Sequence, residues 1–471
     1  MSTTDATVSA GIHPEQAGRI AMITLGCAKN LVDSEVMLGG LLREGYSITE
    51  DPRDADVVLV NTCSFIEAAK TESIETILKV ARLKETGRLR GLFVTGCMAQ
   101  RYADDLAREL PEVDGIIGFA HYPRLAATIR RLLDSAPPNR IMVGDATVPF
   151  QPEWGRKRLT PRHTAFLRVA EGCDHQCTFC AIPGFRGRFR SKPWDDILDE
   201  AKRLADSGVR EFNLIAEDTN QYGQDVRDGR NLSHLLEALA AVPGVDWIRI
   251  LYAYPSYFGD DLIEAIAGIP EVCPYIDIPL QHIADPVLKR MRRPSEGMTV
   301  NLLEKLRARI PGLALRTTFI SGFPGETDSD HRELLAFVES FRFERLGVFA
   351  YSTEDGTPAA GFDGMIPEQL RQDRADEIMA AQQEVAFQFA ASLIGRTMPV
   401  LVDKLEDKAP VGRTPLDAPD VDPVVYLPAG QGVEPGDLVS VEITGSVHYD
   451  LEAILVGAET ERLQQEFAAD G

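Results

Sequence analysis

Apolar and polar positions alternate in blocks along residues 19–135. The runs RIAMITLGC, DADVVLVNTC and RGLFVTGC are rich in Val, Ile and Leu, as is typical of strands buried on both faces of a parallel sheet. Between them, DSEVMLGGLLREG and IEAAKTESIETILKVARLKETG place apolar residues at helical spacing and end at a glycine. We therefore predict an open parallel α/β domain over residues 19–135.

The same alternation continues over residues 163–392, where each strand–helix unit is longer. Six apolar runs, from AFLRVAEG to RLGVFAYS, are separated by amphipathic segments such as DDILDEAKRLADSG. A closed barrel of this type has eight strand–helix units and takes about 250 residues. Six units instead predict a partial (β/α)6 barrel that stays open.

The C-terminal part of the chain changes to short strands among prolines and glycines. Segments such as MPVLVDKL and DLVSVEITGSV predict a small all-β, OB-like barrel over residues 396–458. The proline-bearing stretch 136–162 has no periodicity and is predicted to be a linker. Residues 1–18 are predicted to be a disordered N-terminus, and residues 459–471 a C-terminal tail.

Composition narrows the class of protein. The chain has 471 residues, 44% of them hydrophobic and 26% charged, as expected for a globular protein of several domains. No apolar run reaches the length of about 18 residues that a membrane span needs, and the polar N-terminus does not resemble a signal peptide. We therefore expect a cytoplasmic protein without a membrane partner. Its net charge of −23 favours a basic partner over a polyanion.

Three of the seven cysteines stand within eight positions, in EGCDHQCTFCAIPG. These loop cysteines are Cys173, Cys177 and Cys180, and they follow the first barrel strand, at the end where barrel enzymes carry their chemistry. Three thiolates without a histidine at zinc-finger spacing suit an iron–sulfur cluster or zinc. A cluster with three protein ligands leaves one iron open for a cofactor or substrate. The alternative is a structural zinc with a distant fourth ligand.

Three further cysteines, the sheet cysteines, each follow a predicted strand of the first domain. They are Cys27, Cys63 and Cys97, separated by 36 and 34 residues, about one strand–helix unit each. The carboxyl ends of neighbouring parallel strands share one edge of the sheet, so we expect a second three-thiolate site there. The alternative is three cysteines buried separately. Cys273 has no other cysteine at a matching spacing and is predicted to be a buried residue of the core.

The C-x3-C-x2-C spacing, with Phe179 before the last cysteine, resembles the radical S-adenosylmethionine superfamily. With the second cysteine set and the small β domain, the chain resembles the methylthiotransferases of that superfamily. The shared segments include TLGCAKNLVDSE, GCMAQRY, LRVAEGCDHQCTFCAIPGFRGRFRS and FISGFPGET. The resemblance implies two 4Fe–4S clusters, with S-adenosylmethionine on the open iron of the loop cysteines and sulfur handled by the sheet cysteines. It implies that one S-adenosylmethionine supplies the radical and another the methyl group.

The resemblance also suggests cofactor-binding residues outside the cysteines. Phe179 lies in the cluster motif, and Gly322 belongs to a glycine turn that can bring backbone close to adenosine. Glu217 and Asp218 end the second barrel strand and could bind ribose or the amino group of S-adenosylmethionine, although strand-end carboxylates also cap helices. Basic residues follow the loop cysteines and could hold the cofactor carboxylate or the partner, or form a solvated turn: Arg186, Arg188, Arg190 and Lys192.

Two branches of the family differ in substrate. The segments PYIDIPLQHIADPVLKRMRRP and EDTNQYG resemble the branch that modifies the β-carbon of an aspartate in small-subunit ribosomal protein 12. The other branch methylthiolates adenosine of transfer RNA. The resemblance implies a basic ribosomal protein as substrate and a flavodoxin or ferredoxin as electron donor.

The charge of the C-terminal domain, which resembles a TRAM module, bears on this choice. Residues 396–458 hold four basic against eleven acidic residues, a net charge of −7. Such a barrel repels RNA and attracts a basic protein, so we do not expect nucleic acid as the direct substrate. The alternative is an acidic face that is merely solvated. A different class of function, a non-enzymatic RNA- or ribosome-binding protein with structural zinc, predicts a protein without iron or sulfide.

Overall fold

The computed structural model describes residues 18–85, 87–135, 139–150, 153, 155–430 and 432–457. The predicted C-terminal tail, and the predicted disordered N-terminus except residue 18, lie outside the described residues. The chain divides into two compact units: residues 1–159 together with Ile182–Gly187, and Thr160–Ala181 together with Arg188–Gly471. The predicted domain boundaries stay predictions. Ile182–Gly187, which we placed within the barrel, groups with the first unit.

The first unit contains a six-stranded sheet with helices between the strands. Its strands are β1 (Arg19–Thr24), β2 (Ser47–Ile48), β3 (Val57–Thr62), β4 (Gly91–Gly96), β5 (Gly115–Ile117) and β6 (Ile141–Met142). Its helices are α1 (Ala28–Arg43), α2 (Glu67–Ala81), α3 (Cys97–Arg101), α4 (Ala103–Glu109), α5 (Leu125–Ser135) and α6 (Ile182–Arg186). The strand order is β2-β1-β3-β4-β5-β6, and every pairing is parallel. This confirms the predicted open parallel α/β domain.

The central strands explain why the sequence forms this sheet. All six residues of β3 and all six of β4 are buried. Along β3, Val58 and Val60 pack into one apolar cluster, whereas Val57 and Leu59 pack into another. Alternate side chains of β3 therefore pack into cores on opposite faces of the sheet. This is why the apolar run of β3 is continuous instead of alternating with polar residues.

The second unit begins with the partial barrel. Its strands are β7 (Thr164–Arg168), β10 (Glu211–Ile215), β11 (Trp247–Ile250), β12 (Val272–Asp277), β13 (Ala314–Ser321) and β14 (Arg345–Ala350). A separate two-stranded sheet is formed by β8 (Ala170–Glu171) and β9 (Arg190–Ser191). Its helices are α7 (Trp194–Asp206), α8 (Leu232–Ala240), α9 (Asp260–Gly268), α10 (Asp285–Met291), α11 (Glu296–Arg309), α12 (Asp328–Phe341) and α13 (Glu368–Ser392). The six parallel strands run in the order β14-β13-β12-β11-β10-β7, with β7 and β14 at the two edges. The predicted open (β/α)6 barrel is confirmed.

The C-terminal strands form a closed barrel. They are β15 (Thr397–Glu406), β16 (Ala409–Arg413), β17 (Val425–Tyr426), β18 (Leu438–Val447) and β19 (Asp450–Leu455), closed in the order β15-β16-β17-β19-β18. This confirms the predicted small all-β domain. Closure removes free strand edges, which would otherwise expose unpaired backbone groups. None of the helices in the described part of the chain is long and apolar enough to cross a membrane.

Buried charges join the C-terminal barrel to the amino ends of the (β/α)6 strands. Glu211 opens β10 and is fully buried, and its carboxylate pairs with Arg413 of β16 at 2.7 Å and with Arg249 of β11 at 3.3 Å. Burial opposes ionisation, but the two arginines hold the pKa of Glu211 at about 2. Arg345 of β14 pairs in the same way with Asp417 at 2.5 Å. The closed barrel is therefore anchored to the end of the sheet opposite the loop cysteines.

Candidate metal centres

The sheet cysteines lie at the carboxyl ends of three adjacent strands. Cys27 precedes α1 three residues after β1, Cys63 directly follows β3, and Cys97 opens α3 directly after β4. Burial raises the pKa of the Cys97 thiol to about 12, and Cys27 and Cys63 add to the rise. Burial likewise raises the pKa of Cys63, with a contribution from Cys27. The three thiols are therefore close enough to interact electrostatically, with Cys63 and Cys97 buried and Cys27 partly exposed.

Two glycines allow these loops to approach one another. Gly96 has φ +89°, and a Cβ there would stand 2.3 Å from Asn61 Oδ1 and 2.5 Å from the Thr62 carbonyl oxygen. Gly26 has φ +90°, and its Cβ would stand 2.8 Å from the Cβ of Cys63. Both positions require glycine, because φ is in the left-handed region and there is no room for a side chain. The glycines of the TLGC and VTGC segments, Gly26 and Gly96, therefore permit the close approach of the strand ends.

A buried arginine completes this site. Arg186 of α6 is only 2% exposed, and its Nη2 donates to Asn30 Oδ1 at 2.8 Å and to Cys97 Sγ at 3.4 Å. Its Nη1 pairs with Asp33 at 2.9 Å. The guanidinium opposes the effect of burial on the pKa of Cys97, because a positive charge favours the thiolate. Arg186 is therefore part of the sheet-cysteine site, not of a solvated turn.

The loop cysteines lie between β8 and α6, in the second unit. The backbone turns tightly there, with Cys180 N donating to Cys177 O at 3.2 Å. Burial raises the pKa of Cys173, and Cys180 and Cys177 add to the rise. All three side chains are partly exposed. The loop thus presents three neighbouring thiols at the carboxyl end of the open barrel.

The two strand-end carboxylates hold this loop. Glu217 Oε2 accepts a hydrogen bond from Gly172 N at 2.8 Å, and Asp218 Oδ2 lies 2.6 Å from His175 Nε2. Asp218 is fully buried, and its second oxygen, Oδ1, has no hydrogen-bond partner among the described residues. Buried polar atoms are rarely left unsatisfied, so Oδ1 is available to a bound polar group.

An aromatic and basic layer covers the same loop. The His175 ring stacks on Tyr254, with 3.6 Å between ring centroids and 11° between planes. The Arg293 guanidinium lies 4.0 Å from the centroid of the Tyr254 ring, and its Nη1 donates to Cys177 Sγ at 3.8 Å. Sequence reasoning did not place His175, Tyr254 and Arg293 at this loop. Only the position of His175 inside the cysteine motif could have indicated it.

The other two cofactor candidates lie in the turn after β13 and in the cysteine loop. Gly322 has φ +75°, and its N–H donates to Glu326 Oε2 at 2.7 Å. Phe179 packs against a buried apolar cluster and meets Phe323 edge-to-face at 6.5 Å. Ser321 Oγ, at the end of β13, is buried without a hydrogen-bond partner among the described residues. The cofactor-binding roles of Phe179, Glu217, Asp218 and Gly322 stay predictions.

The donor sets fit the cofactors that the sequence resemblance implies. Each set offers three thiols and no fourth cysteine, as suits a cluster with one open iron. The buried guanidinium of Arg186 offsets thiolate charge at one set, and Arg293 contacts a thiol of the other. Asp218 Oδ1 and Ser321 Oγ are two buried polar atoms at the carboxyl end of the barrel that have no hydrogen-bond partner among the described residues. Among the described residues, no three His, Cys, Asp or Glu side chains are grouped tightly enough to hold a single metal ion.

Three family patterns match successive parts of the chain. Uncharacterized protein family UPF0004 matches residues 19–118, the radical SAM superfamily matches residues 167–338, and the TRAM domain matches residues 394–456. The first two matches contain the sheet cysteines and the loop cysteines, respectively.

Solved structures support the fold. The radical S-adenosylmethionine methyltransferase TsrM from Kitasatospora setae, solved with cobalamin and a [4Fe–4S] cluster, aligns with a TM-score of 0.52 at 16% identity, over 72% of this chain and 76% of TsrM. OxsB, a cobalamin-dependent S-adenosylmethionine radical enzyme, aligns with a TM-score of 0.51 at 14% identity, over 78% of this chain and 56% of OxsB. At this identity the likeness concerns the fold alone.

Curated relatives match almost the whole chain. The ribosomal protein uS12 methylthiotransferase RimO of Geobacter sulfurreducens is 47% identical over 437 residues, which cover 92% of this chain and 97% of the relative. RimO of Anaeromyxobacter sp. strain K is 46% identical over 450 residues, 95% of each chain. The three family patterns, the two cysteine sets and this level of identity agree. The chain therefore belongs to the RimO family of radical S-adenosylmethionine methylthiotransferases.

Proposed function

We propose that this protein replaces a hydrogen on the β-carbon of an aspartate of ribosomal protein uS12 with a methylthio group. The observation that carries the proposal is the near full-length match to uS12 methylthiotransferases, with both three-cysteine sets placed at the carboxyl ends of their sheets. The segments PYIDIPLQH and EDTNQYG, which resemble the ribosomal branch, support the same substrate.

In this proposal the loop cysteines hold one 4Fe–4S cluster and the sheet cysteines hold the other. The bound cofactors supply a carbon radical from S-adenosylmethionine, a methyl group and the transferred sulfur. Glu217 and Asp218 fix the loop cysteines through Gly172 and His175. Asp218 Oδ1 and Ser321 Oγ would then bind polar groups of S-adenosylmethionine. Arg186 offsets the negative charge of the sheet site, because its guanidinium is buried against Cys97.

The C-terminal barrel is proposed to attract the basic substrate. Three of its eleven acidic residues are drawn into ion pairs with arginines of the second unit: Asp403, Asp417 and Asp422. Seven others are exposed: Glu406, Asp407, Asp420, Glu434, Asp437, Glu442 and Glu452. Exposed Tyr426 is the strand partner of Glu452, so acidic and aromatic groups share a face. Such a face suits a basic protein and disfavours RNA phosphates. We further propose a flavodoxin or ferredoxin as electron donor.

Charge reversal on this face tests the attraction. We expect the double variant Glu442→Lys with Glu452→Lys to raise the KM for uS12 about fivefold at low salt, because steering between exposed charges is lost. The difference should disappear at high salt, where such charges are screened. Glu304→Lys with Glu339→Lys, on α11 and α12, is the matched control, since it changes the same charge on exposed positions elsewhere. Equal KM values for the two double variants would contradict a role of the C-terminal barrel.

A competition experiment tests the substrate. The reconstituted protein receives reductant and S-adenosylmethionine under anaerobic conditions, together with small-subunit ribosomal proteins and unmodified transfer RNA. Mass spectrometry should find a gain of about 46 Da, the exchange of H for SCH3, on an aspartate peptide of uS12. A gain on adenosine would assign the chain to transfer RNA and overturn the proposed substrate. A protein that binds zinc in place of iron and yields neither product would overturn the proposal that this protein is an enzyme.

A further inference from the structure

The side chains that cover the loop cysteines form a continuous stack. Asp218 contacts His175 at 2.6 Å, and His175 lies on Tyr254 with 3.6 Å between ring centroids. Arg293 lies 4.0 Å from the same Tyr254 centroid. Two planar groups this close to one ring cannot share a face of it, so His175 and Arg293 enclose the Tyr254 ring from both sides. The stack begins within the cysteine motif and ends on Cys177 Sγ, which accepts from Arg293 Nη1 at 3.8 Å.

The charge of Arg293 is not offset as that of Arg186 is. Arg186 pairs with Asp33 at 2.9 Å, whereas no carboxylate of the described residues forms an ion pair with Arg293. The remaining contacts of Arg293 are the Pro279 carbonyl oxygen and the Tyr254 ring, and its Nε–H is buried without an acceptor among the described residues. A cation with an unused N–H therefore stands beside a thiol ligand of the proposed cluster.

We propose that Arg293 is a positioning residue that raises the reduction potential of the cluster held by the loop cysteines, acting through Cys177. One-electron reduction adds a negative charge to the cluster and its thiolates. A nearby cation and an N–H···S hydrogen bond stabilise that more negative state, so both shift the potential upward. Tyr254 supports this role, because the π-face of its ring holds the guanidinium in place. The inference rests on the proposed function, since it requires a cluster at the loop cysteines.

The test compares neutral and charged replacements of Arg293 in the full-length protein. Arg293→Met removes the cation and every N–H donor, Arg293→Gln removes the cation but keeps an N–H donor on a shorter side chain, and Arg293→Lys keeps the cation. The matched control is Arg292→Met, because Arg292 is the neighbouring cation, is exposed, and contacts Gln176 instead of a thiol. All variants are made with the sheet cysteines changed to serine, so that only the loop cysteines can hold a cluster. If that background does not fold, the sheet cysteines are kept and the loop cluster is identified by the change of its paramagnetic resonance on adding S-adenosylmethionine.

The fraction of reduced cluster is measured by paramagnetic resonance at fixed solution potentials, with dithionite as the electron source and without substrate. We expect the ratio of reduced to oxidised cluster at one potential to fall about tenfold in Arg293→Met, a downward shift of about 59 mV for one electron. Arg293→Gln should shift in the same direction, and Arg293→Lys and Arg292→Met should stay near the parent protein.

Each outcome decides between the proposals. Unchanged potentials in Arg293→Met and Arg293→Gln, with the cluster present, would overturn the role of Arg293 and leave the proposed function intact. An equal shift in Arg292→Met would overturn it as well, because any nearby cation would then suffice. A parent protein that holds no iron at the loop cysteines would overturn the proposed function itself, which is a separate result.

Discussion

Replacing Cys97 with alanine is expected to abolish methylthio transfer while S-adenosylmethionine is still cleaved to 5′-deoxyadenosine. Replacing Cys177 with alanine is expected to abolish both reactions. The reason is the division of the six cysteines, since Cys97 lies with Cys27 and Cys63 in the first unit and Cys177 lies with Cys173 and Cys180 in the second. Each variant should retain about half of the iron, because one three-thiolate set stays complete in each. Iron analysis and chromatography of the two products measure these outcomes.

The seventh cysteine provides the matched control for this prediction. Cys273 is 2% exposed within β12, and the charged groups that act on it are Arg249, Glu211 and Arg413. Cys273→Ala removes the same thiol group and should leave iron content and both reactions unchanged, with only the modest cost of a small buried cavity. Methylthio transfer that survives Cys97→Ala would contradict the sheet-cysteine site. Loss of 5′-deoxyadenosine in Cys97→Ala would contradict the separate roles of the two sets.

The overall fold could be predicted because its strands are long apolar runs followed by regular turns. Runs such as DADVVLVNTC carry their own signal, since both faces of β3 are buried. The edge strands β2 and β6 were not predicted, because two residues each are too few for any periodicity. The position of α6 was also not predicted. Five residues that follow a cysteine motif do not reveal that they pack with the preceding unit, since that depends on contacts distant in sequence.

The cysteines of the candidate site could be predicted, whereas their polar surroundings could not. Equal spacing placed the sheet cysteines at one edge, because strand ends of a parallel sheet share a direction. Nothing in GFRGRFRSK separates Arg186, which is buried at the sheet site, from Arg188, which is exposed. Likewise, the contact of Asp218 with His175 joins residues 43 positions apart and arises only when β10 lies beside the cysteine loop. Pairings of this kind depend on tertiary structure and leave no local pattern.

The net charge of the C-terminal domain is a second property that the sequence predicts only in part. Counted from sequence, residues 396–458 hold eleven acidic side chains. The structure shows that Asp417 and Asp422 form ion pairs with Arg345 and Arg316. These two carboxylates therefore bind arginines of the (β/α)6 barrel and are not available to a partner protein. Composition predicts the sign of the surface charge correctly, but it overstates the number of charges available for docking.

Replacing Arg413 with methionine is expected to destabilise the junction of the two barrels by about 3–5 kcal/mol, the usual cost of removing one partner of a buried pair. Arg413 contacts both Glu211 and Asp403 at 2.7 Å, so two carboxylates lose their principal cation at once. Arg249, at 3.3 Å from Glu211, compensates only in part. Hydrogen exchange of β16 and β10 amides measures the free energy of opening locally, which suits a protein of several domains.

The pH dependence of this effect has a defined sign. The pKa of Glu211 is held at about 2, well below its ordinary value, so its contribution to stability is complete above that ordinary value. The contribution is lost as pH falls from about 4 towards 2, because protonation then removes the charge that Arg413 stabilises. The difference between the parent protein and Arg413→Met should therefore be full at pH 6 and smaller at pH 3. A difference that grows on acidification would contradict the ion-pair explanation.

Two further variants separate lost charge pairing from lost packing. Lys404→Met is the control, because Lys404 pairs with Glu406 on the surface, where such a pair contributes only about 0–1 kcal/mol. Glu211→Gln in combination with Arg413→Met removes both charges of the buried pair. If the cost comes from an uncompensated carboxylate, this double variant is less destabilised than the sum of the single variants, with a coupling of about 1–3 kcal/mol. Strict additivity would show instead that Arg413 acts through packing of its side chain, and the buried charges would then not explain how the closed barrel is anchored.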